Sequence, residues 1–429
     1  MSPIPSNLQD FTIKAANLTQ AKQFSTEAYP IWGSDGQTYK EYWGAYQKEC
    51  NLAPWGRDLF LTWVLVRKND PDGEIYAGCK TYQRQAFVKH RNADTIEEGY
   101  IYAIACVLTP KKHLRRSSNY IISLSSYSYI CNICFSGNGY ATHFLSLLHG
   151  HLGDPKTLSS MPEPSGKEEP SRPSTSKITS RAPKALGSIL WSDIGSRFYS
   201  RCLIGQGRSG WVVDDFLNGE LIWKVKPSTG PLEDIFSLIF EEDLVSVGEE
   251  LSLRAMEKLE RSDTSKRSVF VPDPSSPGGL SFLPVKTLWK DPTGTPRPVG
   301  IRVKTSSSSC STKSPFLKSS EDAIILFTIS PPSTWDHLLV TYISNLSPSQ
   351  LPSILRALDI LATEAGQKEG CVWGLDLGSE LVQTWKELPG REVRVGRKGE
   401  VDGHLLGVAW YGKEEDKGVC GDGQMWGWC

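Results

Sequence analysis

A glycine-rich turn that opens an apolar helix is the part of the chain with the most definite chemistry. The turn spans Gly137–Ala141 and leads into a helix predicted over Gly139–His151. A turn of this kind directs several backbone N–H groups at one point, and the helix N-terminus adds a favourable dipole, so the pair suits a pyrophosphate. Gly139 permits close approach and unusual φ values, and the small Ala141 lets the helix pack near a ligand.

A buried strand and a basic segment precede this turn. The residues Gly99–Leu108 are almost all apolar, as expected of a strand that is covered on both faces. The strand ends at Thr109-Pro110, and the basic run that follows ends at Arg116, which can add a charge-assisted contact to a phosphate. When residues 117–136 are left out, the loop reads Arg-x-x-Gly-x-Ala.

The segment Ser117–Ser136 divides that loop. It contains seven Ser and no charged residue, so its composition differs from that of its surroundings. We hypothesise that it is a translated intron or a gene-model error, because its removal restores the loop. Transcript reads across the junction test this hypothesis, and it fails if every read retains the segment.

Composition and charge exclude several classes of protein. The 429 residues include 47 Lys and Arg and 48 Asp and Glu, and the net charge of −1 argues against a dedicated nucleic-acid binder. Ten Cys are too few for a disulfide scaffold, so we expect reduced thiols in a cytoplasmic compartment. The uncharged stretch Ser117–Gly153 is interrupted by polar residues throughout, so we expect no membrane-spanning helix.

The first half of the chain is predicted to alternate strands and helices. Its predicted strands are Phe11–Ala15, Leu59–Arg67, Glu74–Val88, Gly99–Leu108 and Gly187–Trp191. Its predicted helices are Leu18–Ile31 with Asn17 as the cap, Gln37–Cys50, Gly139–His151 and Asp193–Arg201. The Pro- and Ser-rich residues 153–183 are predicted to be a disordered inserted loop.

The second half is predicted to be another α/β unit with long loops. Its predicted helices are Glu241–Leu259 and Gln350–Ala365, and its predicted strands are Ala323–Ile329, Cys371–Leu375, Arg391–Val395 and Leu405–Tyr411. The helix Gln350–Ala365 has the strongest apolar face of the chain.

Four stretches resemble one enzyme superfamily. The buried strand followed by Arg-x-x-Gly-x-Ala resembles the acetyl-CoA motif of the GNAT N-acetyltransferases. The strand and helix of Gly187–Tyr199 resemble the next unit of that fold, in which a Tyr hydroxyl lies near the departing thiolate, and Tyr199 is the match. The hairpin residues Gly78–Arg84 and the stretch His404–Gly412 resemble fungal L-lysine N6-acetyltransferases, enzymes of lysine catabolism.

This resemblance implies a fold and a reaction. The fold is α/β (mixed α+β), with a GNAT-like mixed central sheet and flanking helices in residues 1–202 and a second, family-specific α/β domain in residues 203–429. The reaction is acetyl transfer from acetyl-CoA to the ε-amine of free L-lysine, without a metal. Two alternatives remain: a GNAT enzyme for another amine, on a protein or a polyamine, and an inactive GNAT-fold binding protein whose phosphate loop is split.

The resemblance also implies roles for particular residues. The attacking amine must lose a proton, and Glu97 or Glu98 is a candidate base. A backbone N–H around Cys106–Leu108 is expected to stabilise the oxyanion. The candidate acetyl-CoA residues are Cys106, Val107, Leu108, Arg116, Gly137, Asn138, Gly139, Tyr140 and Ala141.

Two other motifs do not indicate a different function. The residues Gly205–Gly210 fit Gly-x-Gly-x-x-Gly and are followed by Lys224, as in a kinase, but no His-Arg-Asp catalytic loop is present. The pair Cys131-x-x-Cys134 has no second pair at zinc spacing.

Overall fold

The computed structural model describes residues 6–33, 36–114, 139–158, 182–205, 207–289, 296–304, 321–329 and 337–428. Three candidate ligand residues, Arg116, Gly137 and Asn138, lie outside this part of the chain, as do residues 117–136 and 159–181. Among the described residues, no helix has both the length and the apolar character that a membrane span requires.

Strands and helices alternate along most of the chain. The strands are β1 (Phe11–Ala15), β2 (Phe60–Arg67), β3 (Ala77–Lys89), β4 (Ile96–Leu108), β5 (Gly187–Ser192), β6 (Val212–Val213), β7 (Gly219–Lys224), β8 (Phe236–Ile239), β9 (Val269–Pro272), β10 (Gly300–Val303), β11 (Ala323–Ile329), β12 (His337–Ser344), β13 (Glu369–Trp373), β14 (Arg394–Arg397), β15 (Leu405–Trp410) and β16 (Val419–Cys420). The helices are α1 (Leu18–Trp32), α2 (Tyr39–Leu52), α3 (Tyr140–Leu152), α4 (Ser196–Ser200), α5 (Leu244–Glu260), α6 (Phe282–Leu288), α7 (Leu351–Glu364) and α8 (Glu380–Glu387). The predicted α/β class, with mixed sheets and flanking helices, is confirmed.

The first sheet lies between helices on both faces. Its strand order is β1-β2-β3-β4-β5-β15-β6, with β9 beside β3 and β16 beside β9. Consecutive strands from β1 to β4 run antiparallel to one another, whereas β4 and β5 are parallel. Because side chains alternate along a strand, β2 presents Trp63 and Leu65 to α3 on one face and Val64 and Val66 to α1 on the other.

The start of α1 confirms the predicted cap. The Oδ1 of Asn17 accepts the N–H of Gln20 at 2.9 Å, and the Gln20 side chain accepts the N–H of Asn17 at 3.2 Å, which is a reciprocal capping box. The Gln20 amide also donates to the carbonyls of Pro71 and Gly73 in the turn between β2 and β3. These bonds fix α1 to the end of the sheet where β4 finishes.

The second sheet has the order β14-β7-β13-β12-β11-β10-β8. Strands β12 and β13 are parallel, and α7 connects them across one face. The apolar side of α7 is buried against this sheet, as its periodicity predicts. Its buried residues include Leu351, Ile354, Leu355, Leu358 and Ala362.

Chain segments after residue 202 also enter the first sheet. Strand β15 pairs with the whole of β5, and β9 pairs with β3. In addition, Phe282 of α6 packs on Trp55, with 4.9 Å between the ring centroids. The division into residues 1–202 and 203–429 stays a prediction, and strands from both sides of it build the first sheet.

The buried imidazole of His149 predicts a loss of stability in mild acid. Its Nδ1 lies 3.0 Å from the Tyr411 hydroxyl and its Nε2 lies 3.0 Å from the Cys202 carbonyl oxygen. Burial lowers the pKa of His149 to about 3. The unfolded chain therefore binds a proton below pH 6.5 that the folded chain does not, and the free energy of unfolding should fall by about 2 kcal/mol between pH 6.5 and pH 5.

Urea unfolding at pH 7 and at pH 5 measures this effect. The variant His149→Gln has no titrating group at this position and should lose about 2 kcal/mol less over the same interval. Burial also lowers the pKa of His151, to about 4, so a further acid-dependent loss remains in both proteins. Equal pH dependence in wild type and variant would contradict the prediction.

Candidate active site

Strand β4 contains a bulge near its C-terminal end. Opposite β3, the two residues Cys106 and Val107 face the single residue Cys79. Cys106 has a φ of +52°, in the left-handed region that non-glycine residues seldom adopt. Such a bulge bends the strand and takes backbone groups out of the regular ladder. The residues predicted to supply an oxyanion donor therefore include the bulge itself.

Strands β4 and β5 separate at the same level of the sheet. Their recorded parallel pairing ends at Ile104 and Leu190, although β4 continues to Leu108 and β5 to Ser192. The gap between the strand ends can accept an extended ligand that pairs with strand backbone. A free N–H at the bulge can stabilise negative charge that develops on such a ligand.

The N-terminus of α3 lies at this same end of the sheet. Its cap, Gly139, has a φ of +86°, which glycine adopts without strain. The ring of the next residue, Tyr140, lies 5.3 Å from the ring of Phe11, which begins β1, and 5.8 Å from that of His113, which follows β4. The side chains of Tyr140 and Ala141 are buried, so these residues can reach a ligand only through their backbone.

A cation that sequence reasoning missed also lies at this end. The Nε of Arg67, the last residue of β2, donates to the Tyr76 hydroxyl at 2.9 Å, and the Tyr76 ring is 5.3 Å from that of Tyr140. Arg67 therefore adds positive charge near the start of α3. Nothing in the sequence distinguishes it from any other charged residue at the end of a strand.

Tyr199 lies on the short helix α4, which follows β5. Its ring contacts those of Phe198 and Trp211, with centroid distances of 5.0 and 6.1 Å. Glu400 holds the start of α4 by accepting the N–H of Ser196 at 2.8 Å. The structure thus brings Tyr199 to the β5 side of the gap, and its catalytic role stays a prediction.

Glu97 and Glu98 lie near the opposite end of β4. They pair with Val88 and Phe87 of β3, and Oε2 of Glu97 is 3.8 Å from Nε2 of His90. Eight residues of strand separate Glu98 from Cys106, which corresponds to about 25 Å. The structure therefore does not bring these two carboxylates together with the bulge.

A cluster of buried charges lies beside the bulge, on the face covered by α2 and α6. Oε1 of Glu49 accepts hydrogen bonds from Nε1 of Trp55 at 3.0 Å, the Tyr82 hydroxyl at 3.2 Å and Nζ of Lys286 at 3.1 Å. This cluster joins α2 of the first half to α6 of the second half. Lys80 of β3 completes it.

The charges of this cluster act on one another. Burial by itself would raise the pKa of Glu49, but the ammonium groups of Lys286 and Lys80 lower it to about 2. Glu49 is thus a fixed anion rather than a base at neutral pH. Burial raises the pKa of the Cys106 thiol, on which all three charges also act, so the cluster borders the bulge.

The alternation of polar residues along β3 is a feature of the sequence that indicates this cluster. Lys80, Tyr82 and Arg84 alternate along β3, so they face the same side of a sheet whose other residues are mostly apolar. All three are buried. Charged residues at buried strand positions indicate a site more often than a core, because burying an unpaired charge is costly.

No protein-family model and no curated protein matches the chain. Several solved structures are similar to it. A GCN5-related N-acetyltransferase from Anabaena variabilis is 11% identical, with 93% of this chain and 72% of that chain covered and a TM-score of 0.43. A probable N-acyltransferase from Enterococcus faecalis is 8% identical, with 95% and 74% covered and a TM-score of 0.46.

The N-myristoyltransferase of Saccharomyces cerevisiae is 10% identical, with 98% of this chain and 83% of that chain covered and a TM-score of 0.38. These identities and scores are all low.

Proposed function

We propose that the chain is a GNAT-type N-acetyltransferase, which moves an acetyl group from acetyl-CoA to a primary amine. One observation supports this most: three features meet at one end of the first sheet. They are the bulge at Cys106, the separation of β4 from β5, and the N-terminus of α3 at Gly139. The gap suits an extended pantetheine arm, and the helix N-terminus suits the diphosphate.

The proposed reaction is a direct transfer. The neutral amine attacks the thioester carbonyl carbon, a C–N bond forms, and the C–S bond breaks to release the coenzyme A thiolate. Backbone N–H groups of Cys106–Leu108 stabilise the oxyanion, and the hydroxyl of Tyr199 donates a proton to the departing sulfur. The amine gives up one proton to solvent before attack, and the second proton, released as the amide forms, returns through solvent to the Tyr199 phenolate.

We propose free L-lysine as the acceptor, acetylated on its ε-amine. The support is the resemblance of Gly78–Arg84 and His404–Gly412 to the fungal lysine enzymes. The thiols of Cys50, Cys106, Cys371 and Cys420 are free, which supports the reducing, cytoplasmic compartment that we propose.

Mass spectrometry of reactions with acetyl-CoA tests this proposal. The purified chain is incubated with L-lysine, with spermidine and with a peptide panel, and released coenzyme A is measured in parallel. Acetylation of L-lysine on the ε-amine is expected. Acetylation of only the polyamine or a peptide would overturn lysine as acceptor, and absence of both acetylation and acetyl-CoA binding would overturn the enzyme assignment.

The variant Tyr199→Phe is expected to lower kcat about 10-fold. The effect is modest because a thiolate is already a stable leaving group, so its protonation adds little driving force. The change should leave KM for acetyl-CoA nearly unaltered. Steady-state kinetics measures both constants.

Tyr102→Phe is the matched control for Tyr199→Phe. It removes another phenolic hydroxyl, which donates to the Pro183 carbonyl at 2.9 Å. Its kcat should equal that of wild type. If the two variants show the same kcat, Tyr199 is a packing residue and not a proton donor.

A further inference from the structure

The mostly buried side chain of Lys80 lies next to the bulge, and its ammonium group faces aromatic rings rather than a carboxylate. Lys80 pairs with Ala105 of β4 and is only 8% exposed. Its Nζ lies 5.2 Å from the ring centroid of Tyr46 and 5.5 Å from that of Phe60. No residue in the described ranges forms a hydrogen bond or an ion pair with this group. A lysine this buried is normally paired.

Among the described residues, the carboxylate of this cluster is that of Glu49, and it is already engaged. Glu49 accepts its three recorded hydrogen bonds from Trp55, Tyr82 and Lys286, and it forms its ion pair with Lys286. Within this cluster, two ammonium groups therefore face one carboxylate. Lys80 forms no ion pair of its own with the described residues, so its ammonium group can bind an anionic group of a ligand.

A second unpartnered donor lies across the gap. Trp191 follows Leu190, the last residue of β5 that pairs with β4, so it lies across the gap from Ala105. Its Nε1 is buried, and none of the described residues forms a hydrogen bond with it. Trp191 and Ala105 contribute to the same apolar cluster. Lys80 and Trp191 thus border the small side chain of Ala105 from both sides.

The part of β4 beside Lys80 carries small side chains. Ala103 and Ala105 are the β4 residues that face α2 and α6 just before the bulge. These two residues precede the bulge, where the acetyl group is proposed to lie. A ligand bound by Lys80 would therefore be next to the reacting carbonyl.

We propose that Lys80 binds the carboxylate of the acceptor, so that the acceptor is an amino acid rather than a polyamine or a simple amine. This inference rests on the proposed function and specifies the chemistry of its acceptor. The ammonium of Lys80 donates to one carboxylate oxygen, and the indole N–H of Trp191 is available as a neutral second donor. Lys80 is a binding and specificity residue, with no part in proton transfer.

Two acceptors that differ only in the carboxylate test this inference. They are L-lysine and 1,5-diaminopentane, and each is assayed with wild type and with Lys80→Gln. Lys80→Gln should have a kcat/KM for L-lysine about 20-fold lower than that of wild type. The loss should come chiefly from a higher KM, because a hydrogen bond to a charged group is lost. The variant's kcat/KM for 1,5-diaminopentane should change less than about 2-fold.

Lys89→Gln is the matched control. Lys89 is on the same strand, and its Nζ donates to the carbonyls of Glu260 and Ser262 at the far end of the sheet. Its kinetics with both acceptors should equal those of wild type. An equal loss with both acceptors in Lys80→Gln would overturn the inference, and so would a wild type that prefers the diamine.

Two further measurements separate this inference from the proposed function. Titration calorimetry of L-lysine into wild type and Lys80→Gln, each saturated with coenzyme A, should show about 20-fold weaker binding by the variant whether or not turnover occurs. Wild type that binds L-lysine but does not acetylate any amine would contradict the proposed function alone. Equal binding by both proteins, or a large loss of urea stability in the variant, would mark Lys80 as merely structural.

Discussion

Replacement of Gly139 by glutamate is expected to lower the affinity for acetyl-CoA by about 100-fold or more. The cap of α3 has a φ of +86°, and the N–H groups that follow it are the proposed diphosphate ligands. A glutamate there places a carboxylate beside the helix N-terminus, where it competes with the diphosphate and repels it. Isothermal titration calorimetry with acetyl-CoA measures the loss.

Gly139→Ala is the control for the backbone strain. It has the same left-handed conformation but no charge, and its Cβ would lie 3.3 Å from Cδ1 of Leu8, a distance that a small shift relieves. We expect it to cost about 1 to 2 kcal/mol of stability and to weaken acetyl-CoA binding far less than the glutamate does. Unchanged affinity in Gly139→Glu would show that the diphosphate does not bind at this helix.

Replacement of Glu49 by alanine is expected to lower the free energy of unfolding by about 3 kcal/mol or more. Glu49 is the common acceptor for Trp55, Tyr82 and Lys286, and its loss leaves buried donors without a partner. The change also removes the ion pair between α2 and α6. Urea unfolding at pH 7 measures the effect.

Glu49→Gln is the matched variant, since its amide oxygen can still accept the indole and phenol hydrogen bonds. It should be less destabilised than the alanine variant. The pKa of Glu49 is lowered in the folded chain to about 2, so its stabilising charge is fully present above about pH 4.5 and is lost as the pH falls towards 2. If Glu49→Ala and wild type unfold at the same urea concentration at pH 7, this account is contradicted.

The local elements of the first half follow from their sequence patterns. The cap at Asn17 and the helix that starts after Gly139 are both confirmed, because capping side chains and glycine conformations are decided within a few residues. The apolar run of β4 was also predicted correctly to end at Leu108.

Features that depend on distant partners could not be predicted in this way. The pairing of β15 with β5 joins residues more than 200 positions apart, and periodicity identifies a strand but not its neighbour. The strand His337–Ser344 was missed altogether. The bulge at Cys106 left no signal either, because its positive φ falls on a residue within an unbroken apolar run.

The charged cluster was missed for a related reason. Glu49 belongs to a helix of mixed polarity, in which a single carboxylate is predicted to be solvent-exposed. Its burial comes from α6, which is more than 200 residues away in sequence. The tertiary contact with α6 buries the carboxylate of Glu49 beside Lys80.

Hydrogen exchange with and without acetyl-CoA tests the central claim most directly. If the diphosphate binds at the start of α3 and the thioester lies at the bulge, peptides containing Cys106–Leu108 and Gly139–Ala141 should exchange more slowly in the complex. Protection confined to the second sheet, or no protection at either peptide under saturating acetyl-CoA, would contradict the placement of the site.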